Sequence, residues 1–210
     1  MIKTSALLLS SLLLAGCSLF GDRSSYEAPD YQVVSSLTDG VEIRRYDPRL
    51  AVEATVNEAE DEDSAFRLLF AYISGANRTQ TEIAMTSPVE VTEASQEIAM
   101  TVPVETRQDA GDMRMRFFLP RSFTAESAPE PTDPKVQLVT LPSETMAVLR
   151  FSGLRGESRV QGKIDDLLAD LSGSDWVQAG EPVAYFYDPP WTLPFFRRNE
   201  VAIPVVPSGS

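Results

Sequence analysis

The chain contains no histidine and a single cysteine, Cys17. Serine, cysteine and zinc hydrolases take a base or a metal ligand from an imidazole, so those mechanisms are excluded. A carboxylate, a tyrosine or a lysine remains available for acid–base work. One cysteine also excludes a disulfide within the chain, even in a compartment that would allow one. Basic residues are scarce: 18 Lys and Arg stand against 31 Asp and Glu, a net charge of −13. That balance argues against nucleic acid or an anionic membrane surface as partner, and solubility is its simplest reading. Nowhere is there the run of about 20 apolar residues that a membrane-spanning helix needs.

What is present begins at the N-terminus. Lys3 precedes an almost unbroken apolar run from Ala6 to Leu14, the pattern of a signal peptide. The run closes on Leu14-Ala15-Gly16-Cys17, which resembles the lipobox of bacterial lipoproteins. In such proteins the cysteine is lipidated and the signal is cut just before it. An ordinary secretory signal with an incidental cysteine is the plainer alternative. Each buried acyl CH₂ contributes about 0.8 kcal/mol, so a multi-chain anchor is effectively permanent. By the same resemblance, Ser18 in place of Asp favours the outer over the inner membrane, with the domain facing the periplasm. The expected layout is a signal peptide over 1–16, a lipidated cysteine and polar tether over 17–29, one domain over 30–204 and a frayed tail over 205–210.

The folded part reads as short strands with two helices set far apart. Val41 and Ile43, then Leu50, Val52, Ala54 and Val56, alternate at period two, with Asp47-Pro48 as a turn. After an acidic run, Glu58 to Asp63, a helix is expected from Ser64 to Ser74. Its stripe is Phe66, Leu69, Phe70 and Ile73, and Gly75 is its stop. A second helix is expected from Arg159 to Leu171, with Ser158 and Gln161 as a capping box. Its stripe is Val160, Ile164, Leu167, Leu168 and Leu171. Between them, Met113, Met115, Phe117 and Leu119 share one strand face and Arg114 and Arg116 the other. Ala125 to Pro134 is expected as a loop. Val136 to Leu138 and Met146 to Phe151 are expected to form a strand pair around Leu141-Pro142-Ser143. Val183 to Tyr187 and Val201 to Ile203 are the last strands. This pattern indicates an α+β domain with a largely antiparallel sheet. One motif recurs: Ile83-Ala84-Met85-Thr86-Ser87-Pro88-Val89-Glu90 returns as Ile98-Ala99-Met100-Thr101-Val102-Pro103-Val104-Glu105. Two copies make no solenoid, and the prolines place both at sheet edges or bulges.

Three segments together resemble the SOUL family of haem-binding-protein-like domains. They are Asp39-Gly40-Val41-Glu42-Ile43-Arg44-Arg45-Tyr46; the first helix through Tyr72-Ile73-Ser74-Gly75-Ala76-Asn77 to the repeated motif; and Tyr187-Asp188-Pro189-Pro190-Trp191 followed by Phe195-Phe196-Arg197-Arg198-Asn199-Glu200-Val201. The resemblance implies a distorted antiparallel β-barrel with two helices in two pseudo-symmetric halves, similar also to GyrI-like effector-binding domains. It implies reversible, non-catalytic binding of haem, another tetrapyrrole or a similar hydrophobic molecule in an apolar groove. Carried onto this chain, the groove takes Phe66, Phe70 and Ile73 with Trp191, Phe195 and Phe196. Arg67, Arg197 and Arg198 are then the partners for propionates, since a guanidinium fork matches a carboxylate. The family's proposed histidine ligand has no counterpart; Met85, Met100 or a tyrosine would have to replace it.

Each of these residues also has a plainer role. Helix stripes are ordinarily core, Met85 and Met100 ordinarily fill gaps, and arginines beside Glu200 ordinarily form structural ion pairs. The acidic run lacks the alternating ligands and glycine of a calcium loop, so no metal site is expected. Two other functions stay open: a docking module for an unidentified envelope protein, and a GyrI-like hydrolase needing a buried Glu near Tyr72 or Tyr185.

Overall fold

The computed structural model describes residues 21, 23–38, 40–57, 62–79, 95–109 and 112–209. In chain order its elements are β1 (Tyr31–Thr38), β2 (Val41–Tyr46), β3 (Arg49–Asn57), α1 (Glu62–Ile73), β4 (Asn77–Arg78), β5 (Val104–Asp109) and β6 (Asp112–Phe118). They continue with β7 (Glu130–Pro131), β8 (Val136–Leu141), β9 (Glu144–Phe151), α2 (Glu157–Leu171), β10 (Trp176–Gln178), β11 (Val183–Phe186), a 3₁₀ turn (Pro194–Phe196) and β12 (Asn199–Pro207). The main sheet runs β1-β2-β9-β12-β11-β5-β6-β3-β8, with β10 on the far end of β12; β4 and β7 form a small separate ladder. Every pairing is antiparallel.

The strand order contains a repeat that the chain order conceals. β3, α1, β5 and β6 form one unit, and β9, α2, β11 and β12 form a second with the same internal pairing. The two units join where β5 meets β11, which places a pseudo-twofold axis between those strands. Each unit also lends a strand to the other. β2 leads into β3 but pairs with β9, and β8 leads into β9 but pairs with β3. The expected β8–β9 hairpin is therefore not formed. Both edges of β9 are already taken, by β2 and β12, so the chain at Pro142-Ser143 crosses between halves instead of turning back.

Successive side chains of a strand point to opposite faces, and here the two faces differ in kind. Val52, Ala54, Val56, Met115 and Phe117 meet α1 through Ala65, Leu69, Tyr72 and Ile73. Val41, Ile43, Ala147, Val201 and Ile203 meet α2 through Leu167 and Leu171. The third cluster, with Ala51, Phe118, Met146, Val148, Tyr185 and Ala202, lies on the face away from the helices.

Several local expectations change. α1 starts at Glu62 and turns Ala65, Leu69, Tyr72 and Ile73 inward, so Leu69 and Ile73 of the expected stripe are buried while Phe66 and Phe70 are left on the flank. The small Ala65 lets the helix close on the sheet, and the Tyr72 hydroxyl donates to the Pro129 carbonyl at 2.8 Å. α1 does end at Gly75, whose φ of +110° is the left-handed conformation a helix C-terminus favours. α2 starts at Glu157 behind Gly156 with no side-chain cap, and Gln161 donates forward to Asp165 instead of forming a capping box. The stretch expected as pure loop contains the two-residue β7. β12 runs to Pro207, into the stretch expected as tail, because β10 pairs with its end. Of the repeated motif, residues 80–94 lie outside the described residues, with Met85 among them, as do 58–61 of the acidic run. In the second copy, Ile98 is buried and donates its N–H to the Ile73 carbonyl, and β5 begins only at Val104 after a cis Val102–Pro103 bond. No helix among the described residues is long and apolar enough to cross a membrane.

Candidate ligand cleft

The pseudo-symmetry leaves a space beside α2, above the seam where β5 pairs with β11, which α1 reaches only through Glu62 at its first turn. A cleft of about 470 Å³ occupies it, within the range of small-molecule sites. α2 gives it a column of Val160, Ile164 and Leu168, spaced four apart and therefore on one line of the helix. Ala184 and Phe186 from β11, with Met113 from β6, complete the apolar wall, and Val183 borders it at the start of the strand. Arg155 supplies positive charge, its guanidinium 5.3 Å from the Phe186 ring centre, while Arg107 borders the cleft from β5 with its side chain on the Glu105 side of the sheet. Glu62, Glu157 and Glu181 also border the cleft.

These residues fit a tetrapyrrole in outline. One wall is apolar, the Arg155 guanidinium can meet a carboxylate, and Met113 offers a thioether of the kind that ligates haem iron. When bound, such a group would supply its own colour and redox chemistry, while Val160, Ile164 and Leu168 would exclude water from one face. Among the described residues no cluster of three or more Cys, Asp or Glu could hold a metal ion.

The face away from the helices carries a continuous polar row. Register places Gln137, Glu53, Arg116, Glu105, Tyr185, Glu200 and Arg150 side by side on neighbouring strands. Arg116 bridges Glu53 and Glu105, each at 2.6 Å, and all three are largely buried. Glu200 is fully buried between Arg44 at 2.9 Å and Arg198 at 2.7 Å, and accepts the Tyr187 hydroxyl at 2.8 Å. Arg49 pairs with Glu144 and stands over the rings of Tyr46 and Phe118. Burial, reinforced by Glu105, pushes the Tyr185 hydroxyl well above the ordinary tyrosine range. Burial alone pushes Tyr72 up to about 12. Both are therefore hydrogen-bond donors at neutral pH.

None of the described residues expected to touch ligand lines the cleft. Ile73 is in the core and Met100 packs against it. Phe66 stacks on Phe70 with ring centres 6.0 Å apart and meets the edge of Phe117 at 5.3 Å. Arg67 is exposed and bonds to Ser64. Trp191, Phe195 and Phe196 project from the loop before β12, with Phe195 and Phe196 packed at 4.6 Å. Arg197 binds the carbonyls of Thr192 and Pro190, closing that loop, and Arg198 holds Glu200. What sequence reasoning missed is the cleft side of α2. Its five-residue stripe is wider than one contact line needs: Leu167 and Leu171 are buried on the sheet, and Val160, Ile164 and Leu168 form the second column.

The fold is an α+β half-barrel, a curled antiparallel sheet with two helices in two related halves. The C-terminal domain of EcmrR superposes with a TM-score of 0.53 at 12% identity, covering 84% of this chain and 98% of that one. A hydrolase from Listeria innocua superposes with a TM-score of 0.52 at 11% identity, covering 86% and 93%. At such identities the likeness is one of fold. No curated protein sequence matches the chain. The SOUL heme-binding protein family matches residues 26–204, and the chain belongs to that family.

Proposed function

We propose that this is a non-catalytic, membrane-anchored protein that binds haem or a related hydrophobic tetrapyrrole in the cleft beside α2. The observation that carries the reading is the cleft at the pseudo-twofold seam, with an apolar column from α2 and with Met113 and Arg155 on its wall. Family membership supports a small-molecule ligand. The anchor rests on Leu14-Ala15-Gly16-Cys17, and Ser18 favours the outer membrane, periplasmic side. Titration with hemin and with protoporphyrin tests the cargo. Saturable binding of both near stoichiometry is expected, with a Soret shift for hemin. Met113→Leu should leave protoporphyrin binding unchanged and alter only the hemin spectrum. If neither molecule binds, the tetrapyrrole reading fails.

A second reading has one observation in its favour. Tyr185 lies directly across from Glu105 in the β5–β11 register, and both are buried, which is the pair a carboxylate–tyrosine hydrolase needs. Against it, Arg116 already holds Glu105. Ester hydrolysis that disappears in Glu105→Gln, with the fold intact, would favour it; no turnover in the wild type removes it.

A further inference from the structure

The loop between β11 and β12 exposes apolar surface that neither the core nor the cleft uses. Trp191 is 62% exposed and Phe195 66%, with Leu193 and Phe196 beside them. Leu154, itself 62% exposed, joins this patch, because the Gly153 N–H donates to the Pro194 carbonyl at 2.8 Å. Exposed aromatics of this size, on a loop stiffened by Pro189, Pro190 and Pro194, present a fixed surface rather than a collapsed one.

The N-terminal segment is fastened to the base of the same loop. Arg23 holds Asp188 through both carboxylate oxygens at 2.7 and 2.8 Å, and that carboxylate is buried. Asp188 also accepts the Arg198 N–H at 2.7 Å. Gly21 approaches so closely that a Cβ there would lie 2.8 Å from the Phe196 carbonyl oxygen. Cys17 is four residues further out. Four extended residues reach at most about 14 Å. A lipid on Cys17 would therefore hold this end of the domain close to the bilayer.

The charge of this end agrees. In a chain of net charge −13, the loop carries Arg197 and Arg198, the latter paired with Glu200, and Arg159, bonded to the Ser152 carbonyl, stands behind Gly153 near the exposed Glu157. The carboxylates at the base of the loop, Asp188 and Glu200, are buried and already paired. Aromatic rings settle at the boundary between headgroups and acyl chains, and arginines meet the phosphates above it.

We propose that the Trp191–Phe196 loop is a second membrane contact, inserting its aromatic side chains into the interface of the phospholipid bilayer that the Cys17 lipid anchors. This rests on the lipoprotein reading of Cys17. The bilayer would then fix the orientation of the domain, with the acidic remainder turned toward solvent.

The test uses the mature protein extracted from membranes and reconstituted in phosphatidylcholine vesicles, with its N-terminal peptide characterised by mass spectrometry. Brominated phosphatidylcholine is expected to quench a large part of the tryptophan emission, and Trp191→Phe to remove the quenched component, leaving only Trp176. Acylated protein whose emission is unquenched, or equally quenched in Trp191→Phe, overturns the loop contact while leaving the anchor standing. A peptide without acyl groups on Cys17 overturns the anchor and the loop contact together.

Discussion

Glu200→Ala is expected to destabilise the domain by about 3–5 kcal/mol, because removing one partner leaves buried charge uncompensated. Glu200 is 0% exposed and serves Arg44, Arg198 and Tyr187 at once. Arg44 is also buried, at 3%, and loses one of its two carboxylate partners when Glu200 is removed. Glu42 remains 2.7 Å from the Arg44 Nε and Arg198 is partly exposed, so the loss should fall toward the lower end. For a domain of this size that corresponds to roughly 10 °C in Tm. Glu200→Gln, which keeps the shape and one acceptor, should cost less. Thermal denaturation of the three proteins checks the order; equal midpoints would mean the network is a bystander.

The same residue sets the acid limb. Burial alone pushes the Glu200 carboxyl up, but Arg44 and Arg198, with hydrogen bonds from Arg44 and Tyr187, more than offset it, and the net direction is down. A carboxyl lowered in the folded state contributes stability that is complete above its unfolded value and lost as pH falls through the folded one. Glu144 works the other way: burial raises it, and Arg49 recovers only part. Between the ordinary carboxylate value and that raised value, stability falls as pH rises. Wild type should therefore lose stability steeply below the ordinary carboxylate range, and Glu200→Ala should show a flatter slope there in a pH series of melts.

Leu69→Ala is expected to cost about 2–5 kcal/mol, and Phe70→Ala only about 1 kcal/mol, although phenylalanine is the larger residue. Leu69 is 0% exposed in the core beneath α1, so truncation opens a cavity. Phe70 is 49% exposed and rests mainly on Phe66. Chemical denaturation midpoints settle the comparison. A greater loss at Phe70 would mean that α1 is rotated toward the stripe that periodicity alone suggests.

That contrast marks how far the sequence could be read. Alternation at period two identified β2, β3 and β6, and the spacing of Leu167 and Leu171 identified the face α2 buries. Two halves with two helices followed from the family resemblance, not from periodicity. Local pattern carries no information about which strand lies beside which, so the exchange of β2 and β8 between halves was invisible and the Pro142-Ser143 link read as a hairpin. On α1, apolar spacing finds Leu69 and Ile73 but misses Ala65 and Tyr72, which are buried because Ala65 permits close approach and Tyr72 has a partner at Pro129. The cleft was hidden for a related reason. Ile164 and Leu168 look like core in one dimension, and only the open space beside α2 turns them into a wall.

The most direct test of the cleft is Ile164→Glu, titrated with protoporphyrin beside the wild type. Ile164 is only half-buried, so the substitution should leave the far-ultraviolet circular dichroism unchanged. It places a carboxylate on the apolar wall facing the ligand, and a loss of affinity of about tenfold or more is predicted, corresponding to about 1.4 kcal/mol or more. Unchanged affinity in a folded Ile164→Glu protein would contradict binding in this cleft.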